Sequence, residues 1–163
     1  MGLVGRLDDV VDDEVDVALP VEVALEVRSV EDVVPDEELM PVKVPAIAGF
    51  PAVTWTYDAK SGRWHTNDQV MSAASPTNLI FQQVSYKGVQ LHHPGGAIVP
   101  SAHVFGAGVA TVFSGASGIT GVWTKPGNTA VTVYADSTGV PLSFRPGVTW
   151  VFLIPSGTNV TYS

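Results

Sequence analysis

The chain has 163 residues, no cysteine and a formal net charge of −8. That length holds one domain, or one with an appendage, and buries enough surface to fold without a metal or disulfide staple. The missing cysteine excludes disulfide frameworks, thiolate metal sites and cysteine nucleophiles. The acidic balance argues against a nucleic-acid partner, whose phosphates need clustered Lys and Arg. No apolar run approaches the ~20 residues that span a bilayer, so no membrane span is expected. No basic region followed by an apolar run opens the chain, so no signal peptide is expected.

Charge divides the chain in two. Residues 1–42 hold 13 of the 16 acidic residues against Arg6 and Arg28, whereas residues 43–163 hold three acidic residues against six Lys and Arg. The first part thus carries −11 and the second +3. Every Trp, Tyr and Phe lies at or beyond Phe50. Aromatic side chains dominate core energetics, so the core is expected in residues 51–163 and an acidic extended arm in residues 1–50. Within the arm, Val15, Val17, Leu19, Val21, Val23, Leu25 and Val27 occupy every odd position. Such alternation predicts a half-buried strand, and Pro20, which has no N–H to donate, makes it an edge. One short helix is expected within residues 31–40, limited by Pro35.

Beyond residue 51 the pattern is β throughout. Strands are predicted at Val53–Tyr57, Leu79–Tyr86, Val109–Phe113, Ile119–Thr124, Thr129–Tyr134 and Val148–Ile154. Between them lie turn signals such as Lys60-Ser61-Gly62, Lys125-Pro126-Gly127-Asn128 and Asp136-Ser137-Thr138-Gly139. Gly88–Ala102 has few strand formers and reads as a long surface loop. The fold class expected is all-β: an antiparallel sandwich or barrel-like meander. Trp55, Phe81, Trp123 and Trp150 are expected in its core. Trp150, Phe152 and Ile154 would share one face of the last strand and Val151 and Leu153 the other, which suggests a central strand buried on both sides.

Five pieces in order carry a family resemblance: TWTYDAKSGRW at 54–64, SPTNLIFQQV at 75–84, GAGVATVFSG at 106–115, TGVWTKPG at 120–127 and ADSTGVPLSFRPGVTWVFLIP at 135–155. This series, over about residues 51–156, resembles the C-terminal domain of the YerB-like family, bacterial lipoproteins of unknown function. The resemblance implies a β domain at the cell envelope. It carries over no catalytic residue. The family's N-terminal domain and export signal are not seen in this chain, where the acidic arm stands instead.

Candidate chemistry is sparse. His92, His93 and His103 are the best metal-ligating set, but no HExxH or comparable spacing accompanies them. Asp58 and Asp136 each precede a Ser and a Gly, and read as turn-forming carboxylates that bind their own backbone. Neither catalytic residues nor metal or cofactor ligands are expected. The candidate binding surface is Arg63, Trp64, His92 and His93, with Trp64 the tryptophan most expected to be exposed. The sequence therefore points to a non-catalytic domain that works by binding or assembly, with a protein partner or self-association through residues 15–27. A virion structural protein, a capsid decoration or tail component joined through its arm, is the alternative.

Overall fold

The computed structural model describes residues 28–29, 41–46, 51–68, 71–90 and 98–162. They form strands β1 (Arg28–Ser29), β2 (Val42–Val44), β3 (Val53–Asp58), β4 (Arg63–Thr66), β5 (Asn78–Val84) and β6 (Tyr86–Gln90). There follow β7 (Ile98–Ala102), β8 (Gly106–Ser114), β9 (Ser117–Lys125), β10 (Val133–Ala135), β11 (Leu142–Ser143) and β12 (Thr149–Pro155). The main sheet runs β10-β9-β8-β5-β12, a second sheet runs β2-β3-β4, and β6-β7 and β1-β11 are pairs. The all-β class is as expected, with no helix among the described residues. The sheets are open and mixed rather than uniformly antiparallel, since β12 pairs with β5, and β1 with β11, in parallel.

The main sheet buries both faces. Leu79, Phe81, Phe113 and Ile154 pack under the three-stranded sheet with Val42, Trp55 and Trp64. Rings meet at short range across this layer: Trp64 and Phe113 at 5.4 Å, Trp55 and Phe152 at 5.6 Å, Phe81 and Phe152 at 5.1 Å. On the opposite face Ile80, Val84, Ala110, Val112, Ile119 and Trp123 cluster with Leu142, joined by Tyr134 and Phe144. β5 thus serves two cores, which explains its apolar residues at odd and even positions alike.

Two tight contacts fix the strand packing. Trp123 crosses β8 at Gly108, its cross-strand partner, and its indole N–H donates to the Gln83 carbonyl at 2.9 Å. A Cβ on Gly108 would lie 2.6 Å from that indole nitrogen, so only glycine fits there. At the other end of β5, Asn78 is fully buried. Its amide donates to the Arg145 carbonyl and to Thr149 Oγ1, both at 3.0 Å, and its oxygen accepts from Ser114 Oγ at 2.7 Å. This polar knot ties the start of β5 to the end of β8. It also holds the segment that crosses to β12, and such a crossover is what parallel pairing requires.

Five expectations change. Among the described residues β12 is an edge strand, with Val151 47% and Leu153 38% exposed, because it pairs with β5 and with no second strand there. Trp150 is correspondingly half-buried rather than fully in the core. Gly88–Ala102 is not one open loop, since β6 and β7 pair antiparallel from Tyr86↔Ala102 to Gln90↔Ile98. Residues 42–44, placed with the arm by their position before residue 50, are an integral strand: Val42 is fully buried and pairs with Trp55. Thr129–Tyr134 yields only the short β10. The alternating segment 15–27 and the expected helix at 31–40 lie outside the described residues.

Candidate functional site

Trp64 is the clearest correction to the expected binding surface. It is fully buried, because in the β3–β4 hairpin it alternates with exposed Arg63 and His65 and faces the main sheet. Tyr57 and Phe113 hold its ring at 5.3 and 5.4 Å. Arg63 stays exposed and donates to the Ser75 carbonyl at 2.8 Å. His92 and His93 lie outside the described residues, so the expected surface is not assembled among the residues that are described. His103 packs against Phe105 with the rings tilted by 54° and their centroids 4.0 Å apart. No group of three or more His, Asp or Glu side chains gathers among the described residues.

The turn carboxylates have local work. Asp136 is buried, and its Oδ1 accepts from the Thr138 and Val140 backbone N–H groups at 2.8 and 3.0 Å and from the Thr138 hydroxyl at 2.6 Å. Asp58 accepts from the Ser61 hydroxyl at 2.7 Å and the Lys60 N–H at 3.0 Å. These two bonds, the hydroxyl first, hold its carboxyl below the usual value. His65 stands 3.9 Å from it, so the pair sits on the surface of the first hairpin.

One recess has a different character. An apolar cavity of about 640 Å³ opens beside β12. One wall is Val44, Val53 and Trp55 of the smaller sheet; Phe81 and Val84 of β5 form its floor; Phe152 and Ile154 of β12 close the opposite side. Tyr86 and Pro100 reach over it from the β6–β7 pair, and Ser85 and Ser156 stand among the lining residues as small polar groups. The Tyr86 hydroxyl donates to the Leu153 carbonyl at 2.8 Å, fixing the ring against the edge strand, and partial burial raises its pKa. No carboxylate, imidazole, ammonium or guanidinium group is among the described residues that line the cavity. Its size matches small-ligand and side-chain pockets. The buried indole N–H groups of Trp55 and of Trp64, outside the recess, have no hydrogen-bond partner among the described residues.

The two sides of this recess come from residues 44–55 and 152–156, about a hundred positions apart, joined only by the sheet packing. Sequence reasoning missed it. The available signal was the run WVFLIP at 150–155, apolar at both parities yet flanked by turns.

Comparison with known proteins follows the fold. A family model described as "Protein of unknown function (DUF3048) C-terminal domain" matches residues 42–151, starting at the first residue of β2. Among solved structures, the YerB protein from Bacillus subtilis superposes with a TM-score of 0.58 at 18% sequence identity. The superposition covers 80% of this chain and 45% of that one, so this chain spans under half the length of that relative. At that identity the likeness concerns the fold. No curated protein matches the chain. The match to residues 42–151 places the chain in the DUF3048 C-terminal domain family, to which it belongs.

Proposed function

We propose that this chain is a non-catalytic binding domain whose ligand is an extended protein segment, taken up beside β12. The observation that carries this reading is an apolar cavity beside a strand edge that has no neighbouring strand among the described residues, its Leu153 carbonyl bonded to the Tyr86 hydroxyl. β12 offers seven residues of outer edge with no neighbouring strand among the described residues. An added strand gains main-chain hydrogen bonds along such an edge and specificity from pockets that accept alternate side chains. The 640 Å³ cavity lies on the side of β12 where Phe152 and Ile154 point, so every second side chain of an added strand falls towards it. An apolar lining without a carboxylate, imidazole, ammonium or guanidinium group among the described residues suits recognition by shape and burial rather than proton transfer.

The location proposed is the cell envelope, which the YerB-like resemblance implies. The virion alternative rests on composition and the arm alone.

A synthetic peptide with Val or Leu at alternate positions should bind the protein in a calorimetric titration, and a polar peptide of equal length should not. Ser156→Trp, which fills the cavity from an exposed position, should weaken binding by roughly tenfold or more, as loss of a central apolar anchor does. Equal affinity for Ser156→Trp and the unchanged protein would remove the cavity from the binding site.

A further inference from the structure

We infer that a partner strand pairs with β12 only along Thr149–Leu153, and that the Tyr86 hydroxyl marks where the paired stretch ends. This rests on the binding reading above and names the length and main-chain register of the segment that the edge accepts.

The direction of each peptide group in β12 decides the register. In a parallel pair, alternate residues turn their N–H and C=O groups to the partner and the others turn them away. The Val148 carbonyl accepts from the Thr77 and Asn78 N–H groups at 2.9 and 3.1 Å, and the Ser156 N–H donates to the Val84 carbonyl at 3.0 Å. Even-numbered residues therefore face β5. Thr149, Val151, Leu153 and Pro155 face outward, and the bonds that the Leu153 and Pro155 carbonyls make elsewhere agree with this.

The far end of this outer edge is closed. Pro155 has no N–H to donate. Its carbonyl accepts from the Thr158 N–H at 3.1 Å and from the Thr158 hydroxyl at 2.7 Å. The Leu153 carbonyl accepts from the Tyr86 hydroxyl at 2.8 Å. Among the described residues no strand pairs with what remains: the N–H groups of Thr149, Val151 and Leu153 and the carbonyls of Thr149 and Val151. Tyr86 is held where it can close the edge. It opens β6 opposite Ala102, and the His103 N–H donates to the Ser85 carbonyl at 2.8 Å beside it.

The closure says what kind of segment fits. A strand that stops at Leu153 leaves the edge at the cavity, because Leu153, Tyr86, Pro100 and Ser156 all line it. The partner is therefore a short extended segment that ends or turns there, with an apolar side chain at that point to enter the cavity. A long unbroken strand, such as a sheet edge of another molecule, finds no acceptor beyond Val151, and edges guarded in this way resist edge-to-edge aggregation.

The test titrates full-length protein with the alternating Val/Leu peptide, roughly seven residues long to match β12, methylated at one backbone nitrogen at a time. An N-methyl group removes one donor. In the unchanged protein, methylation should weaken binding roughly fivefold at two nitrogens, two residues apart, which donate to Thr149 and Val151; a main-chain bond lost within an interface has that effect. Tyr86→Phe keeps the ring and frees the Leu153 carbonyl. It should bind the unmodified peptide a few-fold more tightly and show a third sensitive nitrogen. Three sensitive nitrogens in the unchanged protein, or two in both proteins, overturn the stop at Tyr86 and leave the binding reading standing. Weaker binding of the unmodified peptide by Tyr86→Phe makes the hydroxyl a ligand contact and overturns it too. Binding with no sensitive nitrogen overturns strand pairing. No binding by either protein, with melting curves intact, overturns the binding reading together with the inference. Should Tyr86→Phe fail to fold, the count of two against three in the unchanged protein decides alone.

Discussion

Tyr134 shows how one half-buried hydroxyl ties stability to pH. Its ring packs against Phe144 with centroids 5.9 Å apart, and its hydroxyl donates to Gln82 Oε1 at 2.7 Å. Burial pushes its pKa up to about 12. The neutral phenol is the form the fold holds, so the unfolded chain loses that proton first, at the ordinary value of about 10. The stability Tyr134 contributes is therefore complete below about 10 and is lost as pH rises from there through about 12. Urea unfolding of the unchanged protein should weaken across that window, and Tyr134→Phe should flatten the dependence. A Tyr134→Phe protein with the same alkaline loss would assign the effect to other groups. Asn78 and Gly108 illustrate the same scale. Each is a single residue whose type is dictated by neighbours distant in sequence, Arg145 and Thr149 for the first, Trp123 and Gln83 for the second.

Among elements, β4 and β12 mark the gap between pattern and place. Arg63-Trp64-His65 reads as an exposed hairpin arm, and two of its three residues are exposed; the parity that buries Trp64 depends on which face of β3–β4 meets the main sheet. Trp64→Ala should cost about 3–5 kcal/mol, the range for a fully buried large aromatic. Trp150→Ala, at a half-buried edge, should cost about half as much. Chemical denaturation of both variants checks the order, and a Trp150→Ala protein less stable than Trp64→Ala would return β12 to the centre of the core. Strand existence was legible for β3, β5, β8, β9 and β12, because their runs of Val, Ile, Phe and Thr are long and bounded by turn residues. The turn at Asp136 was legible for a local reason: its Oδ1 accepts from Thr138 and Val140, two and four residues on. Strand order and direction were not legible. Period-two alternation carries no information on whether a partner strand runs parallel, so the β5–β12 pairing had no signal in the chain. β2 was hidden by its length, three residues in a Pro-flanked stretch without an aromatic. The cavity was illegible because its walls meet only after β2, β5 and β12 have been placed.

Among the described residues the molecule combines a main sheet covered on both faces, a three-stranded cover and, beside the cavity, an outer side of β12 with no neighbouring strand. The covered part explains the fold: two cores on the faces of β5, one aromatic and one aliphatic around Trp123. The uncovered part is where a binding domain has something to offer, since apolar surface left at an edge is stabilised only by a partner strand. Charge adds a second layer, because a −11 segment and a +3 remainder attract each other over distances that salt shortens. The family match extends over residues 42–151, so it includes β2, the cavity wall at Val44 and Trp55, and the first three residues of β12. The most direct test of the cavity as the binding site is an NMR titration of the isotope-labelled full-length protein with the alternating Val/Leu peptide. Backbone shifts should move at Val44, Val53, Trp55, Tyr86 and Phe152–Ile154, and stay still at Arg63, His65 and the Val109–Val122 pair. Shifts centred on the Arg63–His65 hairpin, with the β12 edge unchanged, would contradict it.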